Sequence, residues 1–223
     1  MNKRHPVNRN LVINKVGFYK NIPVWNKGDL IQNYLISIEQ VLTQSLNEHP
    51  RTLAIRFDLR FPVSFGIIDQ IASLQTSHIS SFFKNLDLEI KRDIKDKIKR
   101  NGNAHHSSLR YIWVKEQDSS CMPHYHVAIF LNKDTYYGLG NYQGNGDNMA
   151  SRIIRAWAKS IGIETYDAGK CVEFPDNHTY RLNRNSENFA EDFEQLFFRV
   201  SYFAKVDTKA FCSKDNYFGC SRR

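Results

Sequence analysis

Two histidines and a glutamate near the middle of the chain have the residue types and the spacing of a metal site. His124 follows Glu116 by eight positions, and His126 comes two positions later. Side chains in a β-strand alternate between its two faces, so His124 and His126 are expected to point the same way. Two imidazoles and one carboxylate bind a divalent cation and leave coordination positions open, which suits a catalytic ion.

The residues around this motif predict two strands joined by a short turn. Leu109–Lys115 is rich in Tyr, Ile, Trp and Val, which favour strands. If the turn is centred near Ser120, Glu116 lies directly opposite His124, where facing Cβ atoms are about 4.5–5.5 Å apart. Beyond the turn, one strand face is apolar and the other carries the histidines. The apolar face consists of Tyr125, Val127, Ile129 and Leu131, and the other of His124, His126 and Ala128.

A tyrosine and a lysine near the end of the chain form the second candidate for chemistry. Residues 186–205 predict a helix that carries Tyr202 and Lys205. At 100° per residue, these two lie about 160° and about 140° from the centre of its buried stripe, and they share a face. The alternative interpretation of Tyr202 and Lys205 is an exposed pair without function. For the H-x-H spacing taken alone, the alternative is two histidines on a half-exposed strand. The stripe consists of Phe189, Phe193, Leu196, Phe197, Val200 and Phe203.

Composition limits the function classes. The chain has 223 residues with 31 basic and 23 acidic side chains, giving a net charge of +8. This balance favours a polyanionic partner, nucleic acid before an anionic membrane, although a merely basic soluble protein has the same charge. The four cysteines lack CxxC spacing, and neither a signal peptide nor a membrane-length apolar run is evident. We therefore expect a soluble protein in a reducing cytoplasm.

The remaining pattern predicts an α+β domain with an antiparallel sheet of about five strands, helices on one face and the other face open for a site. We divide the chain into an N-terminal extension with one helix (1–50), a catalytic domain (51–205) and a basic C-terminal tail (206–223). The predicted elements outside the hairpin and the last helix are helices at 30–46, 80–100 and 147–161, and strands at 52–61, 170–174 and 179–182.

Several further residues are candidates for contact with nucleic acid. Arg56, Asp58 and Arg60 share one face of the predicted strand 52–61, where they border the metal site or form a solvated face. Tyrosines of the loop are candidates to stack on nucleic-acid bases, with ordinary loop packing as the alternative, and a lysine of the tail adds a cation. These are Tyr136, Tyr137 and Tyr142 in the loop and Lys209 in the tail.

Together these motifs resemble the HUH endonuclease superfamily of rolling-circle replication initiators, relaxases and some transposases. The resemblance lies in Glu116, in His124-Tyr125-His126 as the H-hydrophobic-H motif, and in Tyr202-Phe203-Ala204-Lys205 as the Y-x-x-K motif. In more detail, W-V-K-E, P-H-Y-H-V-A-I-F-L-N, R-I-I-R-A-W-A, Y-F-A-K-V-D-T-K and F-G-x-S-R are similar to the YagK/YfjJ C-terminal domain family, which contains inovirus-type replication proteins of phages and prophage-like elements.

The resemblance implies an RRM-like sheet and a metal-dependent nickase. Glu116, His124 and His126 would hold Mg²⁺ or Mn²⁺, and Tyr202 on the C-terminal helix would form a 5′-phosphotyrosine intermediate. A tyrosine hydroxyl ordinarily has a pKa near 10, so the ion or Lys205 would lower it, or Lys205 would steady the phosphate. The implied partners are single-stranded or hairpin DNA at a replication origin and a host replication helicase, in the cytoplasm of a bacterial host.

Two other function classes remain open at this stage. The first is a non-catalytic module that binds single-stranded nucleic acid through aromatic stacking on an RRM-like sheet, without need of metal. The second is a 2-His-1-carboxylate Fe(II) oxygenase. The second ranks last, because the number of predicted helices does not suit a double-stranded β-helix.

Overall fold

The fold is α+β, with one six-stranded antiparallel sheet, two small two-stranded sheets and five helices in the described part of the chain. The computed structural model describes residues 3–14, 17–62, 77–117, 122–141, 146–206 and 216–222. The strands are β1 (Ile13–Asn14), β2 (Phe18–Tyr19), β3 (Ile22–Pro23), β4 (Leu30–Ile31), β5 (Arg51–Leu59), β6 (Arg110–Glu116), β7 (His124–Asn132), β8 (Val172–Glu173), β9 (Thr179–Asn183) and β10 (Phe218–Cys220). The helices are α1 (Gln32–Glu48), α2 (Ser77–Asn101), α3 (Met149–Ile161), α4 (Thr165–Gly169) and α5 (Phe189–Ser201), and a 3₁₀ turn, Tyr202–Ala204, follows α5. The two small sheets pair β1 with β4 and β2 with β3. None of the helices in these ranges is long and apolar enough to cross a bilayer.

The main sheet has six strands, which confirms the predicted antiparallel sheet of about five. Its order is β10-β6-β7-β5, and β8 and β9 both pair with the far edge of β5. The β6–β7 pairing places Glu116 opposite His124 and Val114 opposite His126. On the other side of β7, Asp58 of β5 pairs with His126. The two pairings bring polar residues from three adjacent strands to one end of the sheet.

One face of the sheet packs against α2 and α3. The predicted apolar alternation along β7 is confirmed here, because Tyr125, Val127, Ile129 and Leu131 are all fully buried. They share a hydrophobic cluster with alternate residues of β5 and with Phe82, Leu86 and Ile90 of α2 and Ile153 and Trp157 of α3. We call this side the tyrosine face, after Tyr125.

The other side, which we call the histidine face after His124 and His126, is also covered by helices. Ala128 and Phe130 of β7 and Ile112 and Val114 of β6 are buried in a second cluster. That cluster includes Leu35, Ile38 and Leu42 of α1 and Leu196, Phe197 and Val200 of α5. The prediction of helices on one face only is therefore wrong. The physical reason is that the strands carry apolar side chains on both faces, except where the polar residues cluster at the sheet's end.

The last described residues return to the sheet. Strand β10 pairs with β6, with Phe218 opposite Val114 and Gly219 opposite Trp113. The end of the predicted tail is thus an edge strand, and three residues are too few to show a strand alternation in the sequence. Gly219 lies flat against the Trp113 indole, because an added Cβ would come within 2.6 Å of ring atoms.

We expect Gly219→Ala to destabilise the protein by about 1–3 kcal/mol, as overpacking of a buried contact does. The Trp113 ring is rigid and buried against Tyr125, so it has little room to move. Urea unfolding measures the change in the free energy of unfolding. Gly169→Ala is the matched control, because its new Cβ would meet Ile154 at an ordinary 4.0 Å. An unchanged midpoint for Gly219→Ala would contradict the contact.

Candidate metal centre

Glu116, His124 and His126 come together at the end of the histidine face, as the sequence predicts. Each offers one ligand atom, and these atoms all lie within 4.8 Å of one another, so the group can hold a metal ion. Nε2 of His126 is 3.3 Å from Nε2 of His124 and 3.3 Å from Oε2 of Glu116. Glu116 and His126 are buried and His124 is half-buried. The ligand set is formed by the strand pairing alone.

Asp58 orients one of these ligands from behind. Its Oδ1 lies 2.6 Å from Nδ1 of His126, and the side chain is buried. Arg56 Nη2 lies 3.0 Å from both of these atoms. A guanidinium only donates, so the carboxylate accepts from both the ring and Arg56. The Nδ1 proton of His126 therefore faces Asp58, and Nε2 faces the triad, an arrangement typical of metal-binding histidines.

The two histidines titrate differently. Burial lowers the pKa of His124 to about 4, and the charge of His126 adds to this effect, so His124 offers a lone pair at neutral pH. Burial alone would lower the pKa of His126 as well, but hydrogen bonds to Asp58 and Glu116 outweigh it and raise that pKa. Burial opposes the charge on Asp58, yet His126 and Arg56 together hold the Asp58 pKa below its usual value. A proton therefore competes with a cation for Nε2 of His126.

Tyr202 and Lys205 lie beside the triad. The tyrosine hydroxyl is 3.5 Å from Oε2 of Glu116, and Nζ of Lys205 is 2.9 Å from that hydroxyl. Nζ also lies 3.5 Å from Oε2 of Glu116. Burial lowers the pKa of Lys205, but the contacts with Tyr202 and Glu116 outweigh it and raise the pKa, so the amine is an ammonium.

The local backbone around Tyr202 differs from the prediction. The α-helix ends at Ser201, and Tyr202–Ala204 forms a 3₁₀ turn, whereas the sequence pattern predicts helix to residue 205. The stripe prediction holds at the turn, because Phe203 is buried and stacks near His126 with ring centroids 6.1 Å apart. Tyr202 is half-buried at the edge of the cluster that contains Val200, and its ring meets the His126 ring edge to face at 5.4 Å.

The N-terminal segment fixes this turn, which the sequence analysis did not detect. The backbone N–H of Trp25 donates to Oγ of Ser201 at 2.8 Å. Leu30 forms a β-bridge with Lys205, and the N–H of Val206 donates to the Asp29 carbonyl at 3.0 Å. Residues 1–27 lack hydrophobic periodicity and Leu30 belongs to the predicted helix 30–46, so the sequence analysis carries no signal for these contacts.

The other predicted nucleic-acid residues fall into different places. Arg56 and Asp58 border the triad, although both are buried and Asp58 serves His126. Arg60 is exposed and forms an ion pair with Glu173 at 2.9 Å. Tyr142 and Lys209 lie outside the described residues.

The loop tyrosines do not join the triad. Tyr136 is buried in the cluster of the tyrosine face with the Lys97 ammonium over its ring, so a base cannot stack on it. Tyr137 is 75% exposed, and the Arg181 guanidinium covers its ring at 4.3 Å. Arg181 alternates with Tyr180 and Leu182, which pack on the histidine face, so Tyr137 lies on the opposite side from the triad.

A second group, Glu48, His49 and His106, also has ligand atoms within 4.8 Å of one another. Nε2 of His49 accepts a hydrogen bond from the backbone N–H of Ser108 at 3.2 Å. The proton of the neutral ring is then on Nδ1, so no lone pair remains for a cation. Glu48 accepts from Nε of Arg110 at 2.9 Å. This group is therefore less suited to a metal than the triad.

Sequence comparison places the chain in a family. The YagK/YfjJ C-terminal domain model matches residues 15–221. The chain belongs to the YagK/YfjJ C-terminal domain family. It is 36% identical over 200 residues to uncharacterized protein YfjJ of Escherichia coli strain K12, covering 87% of this chain and 96% of the relative. It is 33% identical over 195 residues to uncharacterized protein YagK of the same strain, covering 86% and 93%. No solved structure matches this member of the family.

We expect Mn²⁺ binding to weaken as the pH falls, because a proton and the cation compete for Nε2 of His126. The pKa of this histidine is raised above its ordinary 6.5. Below that pKa, one displaced proton reduces the apparent affinity about tenfold per pH unit. Calorimetry in buffers of different ionisation enthalpy should count the proton released. An affinity that stays constant between pH 5 and pH 8 would contradict this competition.

Asp58→Asn should weaken Mn²⁺ binding by about ten- to one-hundredfold, because the amide cannot hold His126 as the carboxylate does. Glu173→Gln is the matched control. Glu173 pairs with Asp58 across β8 and β5, but it is half-exposed and bound to Arg60. Circular dichroism at the working temperature checks that both variants are folded. Equal affinities for Asp58→Asn and wild type would remove the orienting role of Asp58.

Proposed function

We propose that this protein is an HUH-type endonuclease that nicks and religates single-stranded DNA as a rolling-circle replication initiator. The observation that carries the proposal is the position of the Tyr202 hydroxyl. It accepts from the Lys205 ammonium at 2.9 Å and lies 3.5 Å from the Glu116 carboxylate of the triad. A nucleophile, a cation-binding group and a fixed positive charge thus converge on one point.

The donor set fits a divalent cation such as Mg²⁺ or Mn²⁺. It offers one carboxylate oxygen and two imidazole nitrogens on one face, which leaves room for oxygen atoms of a substrate. When bound, the ion would supply Lewis-acid stabilisation of charge on a phosphate oxygen. The protein's part is to hold Nε2 of His126 toward the ion through Asp58, and to keep His124 neutral by burial.

Tyr202 would act as the nucleophile. Its phenol oxygen forms a bond to phosphorus as the bond between phosphorus and the 3′ oxygen breaks. The phenol proton passes to water, and the leaving 3′ oxygen takes up a proton from water and becomes a free 3′-hydroxyl that can prime synthesis. The phosphate stays joined to the tyrosine and to the 5′ end of the downstream strand, and attack by a 3′-hydroxyl reverses the step and religates the DNA.

Lys205 would serve the same step in two ways. Its ammonium lies against the phenol oxygen, where negative charge collects as the proton leaves. Its contact with Glu116 at 3.5 Å also keeps it beside the site where the phosphate would lie. The positive charge of Lys205 and the net charge of +8 favour a polyanionic strand.

The binding-module alternative requires an open sheet face for stacked bases. On the histidine face, α1 and α5 cover the strands in the described part of the chain, which disfavours this reading. The fold also disfavours the oxygenase, because one main antiparallel sheet covered by helices on both faces is unlike a double-stranded β-helix.

The proposal predicts a covalent protein–DNA adduct. The test is denaturing gel electrophoresis of the protein with Mn²⁺ and a labelled single-stranded DNA pool drawn from the genetic element that encodes it. The wild type should give a shifted band, and Tyr202→Phe and His126→Ala should give none. Lys205→Ala should slow adduct formation by about one-hundredfold, as loss of one charge-stabilising group does.

Tyr166→Phe is the control, because this tyrosine is 79% exposed on α4, away from the triad. Its adduct yield should match wild type. A band that persists in Tyr202→Phe would rule out the assigned nucleophile. DNA binding without any adduct, unchanged by removal of metal, would favour the binding module instead.

A further inference from the structure

Trp25 lies beside the candidate nucleophile. Its indole meets the Tyr202 ring edge to face, with centroids 5.6 Å apart and an interplanar angle of 85°. The side chain is half-buried, so part of it reaches the surface next to the site. Tyr202 in turn meets His126 edge to face. The three rings form a continuous path from the triad outward.

The backbone holds Trp25 firmly in this place. Its N–H donates to Oγ of Ser201, which donates to the Phe198 carbonyl at 2.7 Å. Ser201 is fully buried and directly precedes Tyr202. One hydroxyl thus ties the backbone of Trp25 to the residue that precedes Tyr202, and a pre-positioned ring loses little entropy when it binds a ligand.

The surroundings of Trp25 suit an unpaired nucleotide. Asn26 and Lys27, which follow it, are exposed. An aromatic ring next to a cation is the usual pairing in single-strand binding, where the ring stacks on a base and the cation meets a phosphate.

We propose that Trp25 stacks on an unpaired base of the strand, next to the phosphate that Tyr202 attacks. The inference rests on the proposed function for the place of the scissile phosphate. The N-terminal segment would then take part in substrate recognition as well as in holding the turn. Simple packing of Trp25 on Tyr202 is the competing role, and it predicts no dependence on DNA bases.

Tryptophan fluorescence gives a direct readout. The other two tryptophans, Trp113 and Trp157, are 7% and 0% exposed, so quenching by added DNA reports on Trp25. We expect oligo-dT of about twelve nucleotides to quench the wild type. The Trp25→Phe protein should lose the quenching. No quenching of the wild type at saturating oligo-dT would overturn the proposal.

Affinity measurements separate stacking from packing. Trp25→Ala should weaken oligo-dT binding by about ten- to one-hundredfold, with Tyr166→Ala unchanged. For a strand of equal length without bases, Trp25→Ala and wild type should bind alike. An equal loss on both strands would mean that Trp25 only holds the turn, and an unchanged affinity for oligo-dT would also overturn the proposal.

The covalent assay keeps this inference apart from the proposed function. If wild type forms the adduct while Trp25→Ala binds oligo-dT normally, stacking is wrong and the endonuclease stands. If no protein forms an adduct but the base-dependent loss at Trp25 is present, stacking stands and the endonuclease is wrong. Trp25→Phe, which keeps a ring against Tyr202, should retain most of the oligo-dT affinity.

Discussion

The register between β6 and β7 is the constraint on which the rest of the site depends. It sets Glu116 opposite His124, and the neighbouring pairing of β5 sets Asp58 opposite His126. A slip of one residue would turn every side chain of a strand to the other face, which would bury the histidines among α2 and α3. The apolar alternation of β7 opposes such a slip, because the slip would bring Tyr125 and Val127 out of the core. The packing of the domain and the geometry of the ligands are therefore fixed by the same pattern.

Burial of this many polar groups is stable only because they satisfy one another. Asp58 accepts from both Arg56 and His126, and Lys205 contacts both Tyr202 and Glu116. Removing one member would leave another charged in a low-dielectric place, so the members depend on one another energetically. The raised pKa of His126 is one sign of this dependence, since two nearby carboxylates favour a positive charge at its position. A cation would satisfy the same demand.

The sequence predicted the parts of the site that follow from local periodicity. Alternation along β7 predicted that His124 and His126 share a face, and the spacing of Tyr202 and Lys205 predicted that these two lie together, as their 2.9 Å contact shows. It did not predict coverage of the histidine face, because Ile112, Val114 and Phe130 acquire partners from α1 and α5 only in three dimensions. The role of Asp58 depends on a pairing 68 residues away in sequence. Trp25 belongs to a segment without periodicity, and its contact with Ser201 spans 176 residues.

This last contact bears on the order in which the chain acquires its parts. During synthesis from the N-terminus, the strands that carry Asp58, Glu116 and His126 leave the ribosome well before residues 201–206. The contact between Trp25 and Ser201 joins residues 176 positions apart, so docking of the Tyr202 turn onto residues 25–30 can begin only after residues 201–206 have been synthesised. The nascent domain would possess its ligand cluster while lacking its tyrosine. A chain interrupted before residue 201 would contain Glu116, His124 and His126 and would lack Tyr202 and Lys205.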